Sequence, residues 1–339
     1  MKKLLVFCSI LLLVSCILNP PAGTISLQDT LLDDQFIVSL AIEDDGTAWA
    51  GIIRDQYGLV KINTDGSTEI FDYTNSCLVD SVNIWEIEID SQGKIWMLNE
   101  GLVCYEDSKF TRYDTIESIY VPISFENSMT IDNDDNVWFL ATNPLINCSN
   151  FKIYSFDGHD FTSYDPAVLA ASTCFSVSDI EVDRQGSIWF SFSYANDPVF
   201  IKYDGNEWTS FDTSDIGFTP HKITDMGFDS DNNLWFNDDY TFSSVYFNNQ
   251  PGLYTFNGID EAIPFGEAYY VSELSADDDN NIWVTGLSPR LGILDMNHRW
   301  VIDNSDNVRF CRVMQKAPDG NMWLGTSEGI KVFRYLVAE

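Results

Sequence analysis

Acidic side chains recur at one fixed offset from tryptophan along this 339-residue sequence. Ten residues before Trp96, Trp189, Trp235 and Trp283 stand Glu86, Asp179, Asp225 and Glu273. Two residues further on, Glu88 and Glu181 fall on the same face of an extended strand, and the residues between are apolar. Carboxylates gathered in this way attract cations and raise one another's pKa, so Glu86, Asp179, Asp225 and Glu273 are candidate metal ligands. A water-filled channel without an ion accounts for the same one-sided polarity.

Other groups capable of chemistry are sparse. Asp132-Asn133-Asp134-Asp135-Asn136, Asp229-Ser230-Asp231 and Asp277-Asp278-Asp279 have the outline of calcium loops. An EF-hand needs Glu at its twelfth position, where Asn143, Tyr240 and Ser288 stand. They are expected to be hairpin turns, and weakly bound calcium is the one cofactor left open. Gly325-Thr326-Ser327-Glu328-Gly329 matches a nucleophile elbow in letters. That chemistry needs a strand-to-helix turn beside a histidine, whereas this segment links two strands, so no catalytic residue is assigned. His159, His221 and His298 show no metal spacing, and His221 lies nearest a binding face. Cys77, Cys104, Cys148, Cys174 and Cys311 contain no Cys-x-x-Cys pair; one disulfide could form among them, and the odd count leaves a free thiol.

The elements that position these groups are repeats. Trp49, Trp96, Trp138, Trp189, Trp235, Trp283 and Trp323 follow one another at 47, 42, 51, 46, 48 and 40 residues. That period of about 46 residues falls in the range of propeller blades. Each copy has an alternating strand such as Ile87-Glu88-Ile89 and an acidic turn such as Asp90-Ser91-Gln92-Gly93. A strand carrying the Trp follows, then one often opened by Gly-Leu or Gly-Ile, then an aromatic strand such as Trp208-Thr209-Ser210-Phe211. Four strands in each of seven units predict an all-β, seven-bladed propeller. The last unit lacks a fourth strand, and the unpartnered Thr24-Ile25-Ser26-Leu27-Gln28 is expected to supply it and close the ring. The longest insertions, 237–250 and 266–270, share the face formed by the loops after second and fourth strands. Their Tyr240, Phe242, Tyr246, Tyr269 and Tyr270, with His221, are the candidate ligand-binding residues, because rings bury area while polar tips orient a ligand.

The units Asp90 to Trp96 and Asp183 to Trp189, with Met322-Trp323-Leu324-Gly325 through Gly329-Ile330, resemble the two-component regulator propeller repeat. The resemblance covers nearly all of residues 36–335 and implies the same propeller fold. The units at Trp138 and Trp235 depart from the pattern after the Trp, and Ala317-Pro318 replaces the first Asp of the last unit. Propellers of this family often form the outer part of sensor kinases, a role that this chain has no room to fill.

Residues 1–15 read as a lipoprotein signal peptide: Lys2 and Lys3 precede an 11-residue apolar run, far short of the ~20 residues of a bilayer span. Leu13-Val14-Ser15-Cys16 resembles the lipobox of bacterial lipoproteins, which implies lipidation of Cys16. Residues 16–23 then form a tether and 24–339 the propeller. A net charge of −34 makes nucleic acid a poor partner. The sequence is therefore expected to encode a monomeric, non-enzymatic recognition or scaffolding propeller. It would be held in the cell envelope, at the outer membrane or cell surface, and bind a glycan, peptide or protein. The alternatives are a propeller enzyme of the streptogramin-lyase type, for which His221 is the candidate histidine, and a purely structural surface lipoprotein.

Overall fold

The computed structural model describes residues 23–53, 58–80, 82–113, 128–142, 151–164, 176–193, 198–220, 222–238, 252–258, 262–265, 269–288, 290–303 and 306–337. Residues 1–22, which include the expected signal peptide, Cys16 and most of the expected tether, lie outside them. Seven four-stranded antiparallel sheets account for the strands, as the repeat predicts. Their innermost strands are Ile37–Ile42, Ile87–Ile89, Met129–Ile131, Ser176–Val182, Met226–Phe228, Tyr269–Ala276 and Val313–Lys316. Thr213–Ile216 adds one turn of helix. No helix among the described residues is long and apolar enough to cross a membrane.

The middle strands do not alternate between buried and exposed. All five residues of Ala48–Ile52 are buried, as are all four of Ile95–Leu98, because each blade is covered by a neighbour on both faces. Fourth strands such as Thr68–Phe71 are mostly exposed, as expected at the rim. Seven apolar clusters divide the core. Each draws on adjoining blades, so burial is a property of blade pairs.

The ring closes as expected. Thr24–Leu31 pairs antiparallel with Gly329–Leu336, from Thr24 opposite Leu336 to Leu31 opposite Ile330. The strand runs three residues past Gln28, beyond a β-bulge between Leu27 and Asp29. Gly23 marks its start, donating its N–H to the Tyr335 hydroxyl at 3.2 Å. A Cβ there would sit 2.3 Å from the Leu336 carbonyl oxygen, so glycine is required by close approach.

The acidic turns do more than reverse the chain. In blade four, Asp183 Oδ1 accepts the N–H groups of Gln185 and Ser187, and Oδ2 accepts the Trp189 indole N–H at 3.0 Å. Asp90, Asp132, Asp229 and Asp277 hold Trp96, Trp138, Trp235 and Trp283 in the same way. Glu43 reaches Trp49 at 2.7 Å in blade one. Each of these acids stands six residues before its Trp, where blade seven has Ala317, and Trp323 Nε1 is buried with no partner among the described residues. The calcium-loop outline thus has a different cause: Asp132, Asp229 and Asp277 spend their oxygens on turn N–H groups and an indole. Neighbouring turns are also clasped, since Arg184 N–H donates to Asn232 and Ser230 N–H donates to Asn280. Asn232 and Asn280 sit at φ 65° and 60°, which Asn tolerates.

Candidate functional site in the channel and at the blade seams

The seven inner strands line a central channel, and their polar residues fall on two levels. The inner-strand residues opposite the Trp positions form one level and include Glu88, Thr130, Glu181, Ser275 and Gln315. These five line a chamber of about 550 Å³. Its wall includes turn residues Asp90, Ser91, Asp132 and Asn133, so it opens on the face formed by the turns after first and third strands. Burial pushes the Glu88 carboxyl up to about 7. Burial, then the Glu88 and Asp225 charges, holds Glu181 well above the ordinary carboxylate range.

The second level carries the four acids predicted to bind a cation. Asp179, Asp225 and Glu273 are buried and Glu86 is half-buried. Asp179 Oδ2 accepts the backbone N–H of Met226 at 2.6 Å, and Asp225 Oδ2 accepts that of Leu274 at 2.5 Å. Each therefore fastens its own blade to the inner strand of the next. In blades four and six a bulge immediately precedes the acid, between Val177 and Asp179 and between Val271 and Glu273, and re-aims the side chain. Burial raises Asp179 well above its ordinary value, with Asp225, Glu181 and Glu86 adding repulsion and the Met226 N–H opposing it. Among the described residues no group of three or more His, Cys, Asp or Glu side chains is arranged to hold a metal ion. Of the four predicted ligands, Asp179 and Asp225 are engaged by backbone N–H groups of the next blade.

The loop-face residues fare differently. His221, Tyr240, Phe242 and Tyr246 lie outside the described residues. Tyr269 and Tyr270 begin the inner strand of blade six, at its loop-face end. Ser327 of the elbow-like segment donates its hydroxyl to the Arg309 carbonyl oxygen at 3.2 Å. Cys77, Cys104 and Cys311 carry free thiols, Cys104 pushed up to about 12 and Cys311 to about 11, mainly by burial. Cys148 and Cys174 lie outside the described residues.

The seams between blades have an order that the sequence reading missed. At four seams a file of three rings runs from the Trp of one blade, through its fourth strand, to the third strand of the next blade. The Trp49–Phe71 and Phe71–Tyr105 centroids are 6.1 and 5.5 Å apart. Trp96, Tyr113 and Phe156 repeat this at 5.8 and 4.7 Å. Trp138, Tyr164 and Tyr203 repeat it at 5.1 and 5.8 Å, and Trp189, Phe211 and Phe256 at 5.1 and 5.5 Å. Such offset and edge contacts add about 0.5–1.5 kcal/mol per pair beyond area burial.

No protein-family model matches the chain, and no curated protein matches it by sequence. Solved structures do. Virginiamycin B lyase from Staphylococcus aureus, in a catalytically inactive form with quinupristin, is 14% identical over 92% of this chain and 99% of its own, at TM-score 0.67. The extracellular domain of the one-component system BT4673 from B. thetaiotaomicron is 14% identical over 93% of this chain, at TM-score 0.66. The match spans 40% of that chain. PorZ, a surface component of the type-IX secretion system of Porphyromonas gingivalis, is 15% identical over 91% of this chain and 47% of its own, at TM-score 0.65. These likenesses show the propeller fold, which serves a lyase, a sensor-type extracellular domain and a secretion component alike.

Proposed function

We propose that the protein is a non-catalytic recognition or scaffolding propeller, built from units of the two-component regulator type. It is monomeric and tethered through lipid on Cys16 at the outer membrane or cell surface. Its ligand is a glycan, peptide or protein engaged on the loop face by Tyr240, Phe242, Tyr246, Tyr269, Tyr270 and His221. One observation carries this reading: Asp179, whose carboxyl burial holds well above its ordinary range, and Asp225 beside it are both bonded to backbone N–H groups of the next blade. A general acid or base must instead reach a substrate proton. The match to the BT4673 extracellular domain and to PorZ supports an envelope setting.

A glycan and peptide binding screen with the full chain tests recognition. Replacing Tyr269 and Tyr270 by Ala is expected to weaken any hit by about tenfold. Undiminished binding would move the site elsewhere. Incubation with quinupristin should leave that compound intact by mass spectrometry, and its conversion would establish the enzyme in place of the binder. Cys16→Ala should free the protein from membranes or leave an unprocessed precursor. Unchanged mass and partitioning would remove the anchor.

A further inference from the structure

The seam between blades five and six breaks the three-ring file. Trp235 and Phe265 supply the first two rings, with centroids 5.0 Å apart. The third place belongs to the third-strand residue opposite the one before the blade's Trp. Tyr105, Phe156, Tyr203 and Phe256 hold it in blades two to five, opposite Ile95, Val137, Ile188 and Leu234. In blade six that residue is Leu294, opposite Ile282. A groove of about 410 Å³ lies where the seam is short of a ring, lined by Trp235, Phe265, Leu294 and His298. Its rim exposes Ile263 and Met296, at 56% and 66%. The imidazole of His298 stands edge-on to Phe265 at 4.8 Å, where it takes up part of the missing ring's role.

We propose that this groove binds an aromatic side chain of a partner polypeptide, flanked in the partner by Lys or Arg. Ring shape is specified by blades two to five, which show what fills the same place at the four seams that complete the file. Burying an aromatic there removes apolar area from water and completes the file. The rim specifies the flanking charge. Asp229, Asp231 and Asp295 border the groove. Asp229 is engaged by its turn and Trp235, and Asp295 pairs with Arg299 at 2.6 Å. Asp231 is exposed, with a long contact of 3.5 Å from Asn280, and is the carboxylate placed to meet an incoming cation. The net charge of −34 steers a basic segment towards the surface. The groove opens on the turn face, opposite the loop face of the proposed function, so it stands or falls independently of that reading.

The test uses the full chain in mild detergent and five-residue amidated peptides, with central Tyr or Leu flanked by Lys or by Glu. By calorimetry at low ionic strength, the Lys-flanked Tyr peptide should bind at least about tenfold tighter than either control. Leu294→Phe, which supplies the missing ring, should abolish binding without lowering the melting temperature. Ile263→Lys, at an exposed rim position, should weaken it about tenfold and keeps the test decisive if the Phe variant fails to fold. Asp231→Asn should reduce both affinity and its salt dependence. Equal affinity for the Tyr and Leu peptides, undiminished binding by Leu294→Phe or Ile263→Lys, or no binding of any peptide would overturn the proposal. Binding of maltoheptaose in place of the peptides would overturn it in favour of a glycan groove.

Discussion

Single hydrogen bonds decide how firmly each tryptophan is held. Six of the seven repeat tryptophans give their indole N–H to an acid six residues earlier, and Trp323 faces Ala317 instead. A buried unmet donor costs about 1–3 kcal/mol. Ala317→Asp should therefore raise the melting temperature by a few degrees, and Asp183→Ala, which orphans Trp189, should lower it. A scanning-calorimetry comparison with no rise for Ala317→Asp would mean that the turn of blade seven cannot present the carboxylate. The acid was legible in the sequence as a turn residue, but its second oxygen was not, because turn chemistry alone explains the Asp. Titration provides a further prediction at this scale. Glu88 is raised from 4.5 to about 7 in the folded chain, and Asp179 and Glu181 are raised as well. Their contribution is complete below the unfolded values and is lost as pH rises through the folded ones. Asp183 and Asp295 are lowered, so theirs holds above the unfolded 3.8 and disappears only in stronger acid. Stability should peak near pH 5 and fall towards pH 8. Glu88→Gln should flatten that fall, and an unaltered slope in the variant would place the titration elsewhere.

At the level of strands, the closing segment shows what periodicity can and cannot reveal. Thr24-Ile25-Ser26-Leu27-Gln28 alternates, and the last unit lacks an outer strand, so the pairing was legible. The extension to Leu31 was not, because the bulge after Leu27 shifts the alternation by one residue and ends the pattern. The ring files were hidden for a related reason. Aromatic fourth strands are visible in the sequence, but their partners lie on the next blade, and that contact is set by packing rather than spacing. Deleting residues 24–28 removes five of the eight residues of the closing strand and bares the edge of Gly329–Leu336. The melting temperature should fall by several degrees and aggregation should increase, and deletion through Leu31 should do more. A shortened chain that melts like the parent would show that the ring is held by the remaining seams alone.

Over the whole molecule, charge and channel have to be separated. The channel acids were legible as a ring at one offset from Trp, and the structure keeps them at one level. Their use was not legible, because a carboxylate aimed along the channel and one aimed at the next blade's N–H have the same sequence. Asp179 and Asp225 take the second course. A cation competing for them would have to displace those N–H groups, at about 1.5–3 kcal/mol for each hydrogen bond to a charged acceptor. The overall charge of −34 still opposes compaction, and any salt relieves it by screening. Raising ionic strength should therefore increase the melting temperature with sodium and with calcium alike when the two are matched in ionic strength. A site that binds calcium in the folded state alone would add a further rise that grows with the logarithm of calcium concentration. Asp179→Asn with Asp225→Asn distinguishes the cases. If these acids serve as blade fasteners, the double variant loses charged acceptors and melts lower in either salt. If they hold a cation, it loses a calcium-specific shift and gains stability in sodium as repulsion is relieved. Melting curves of parent and double variant in both salts should show the first pattern.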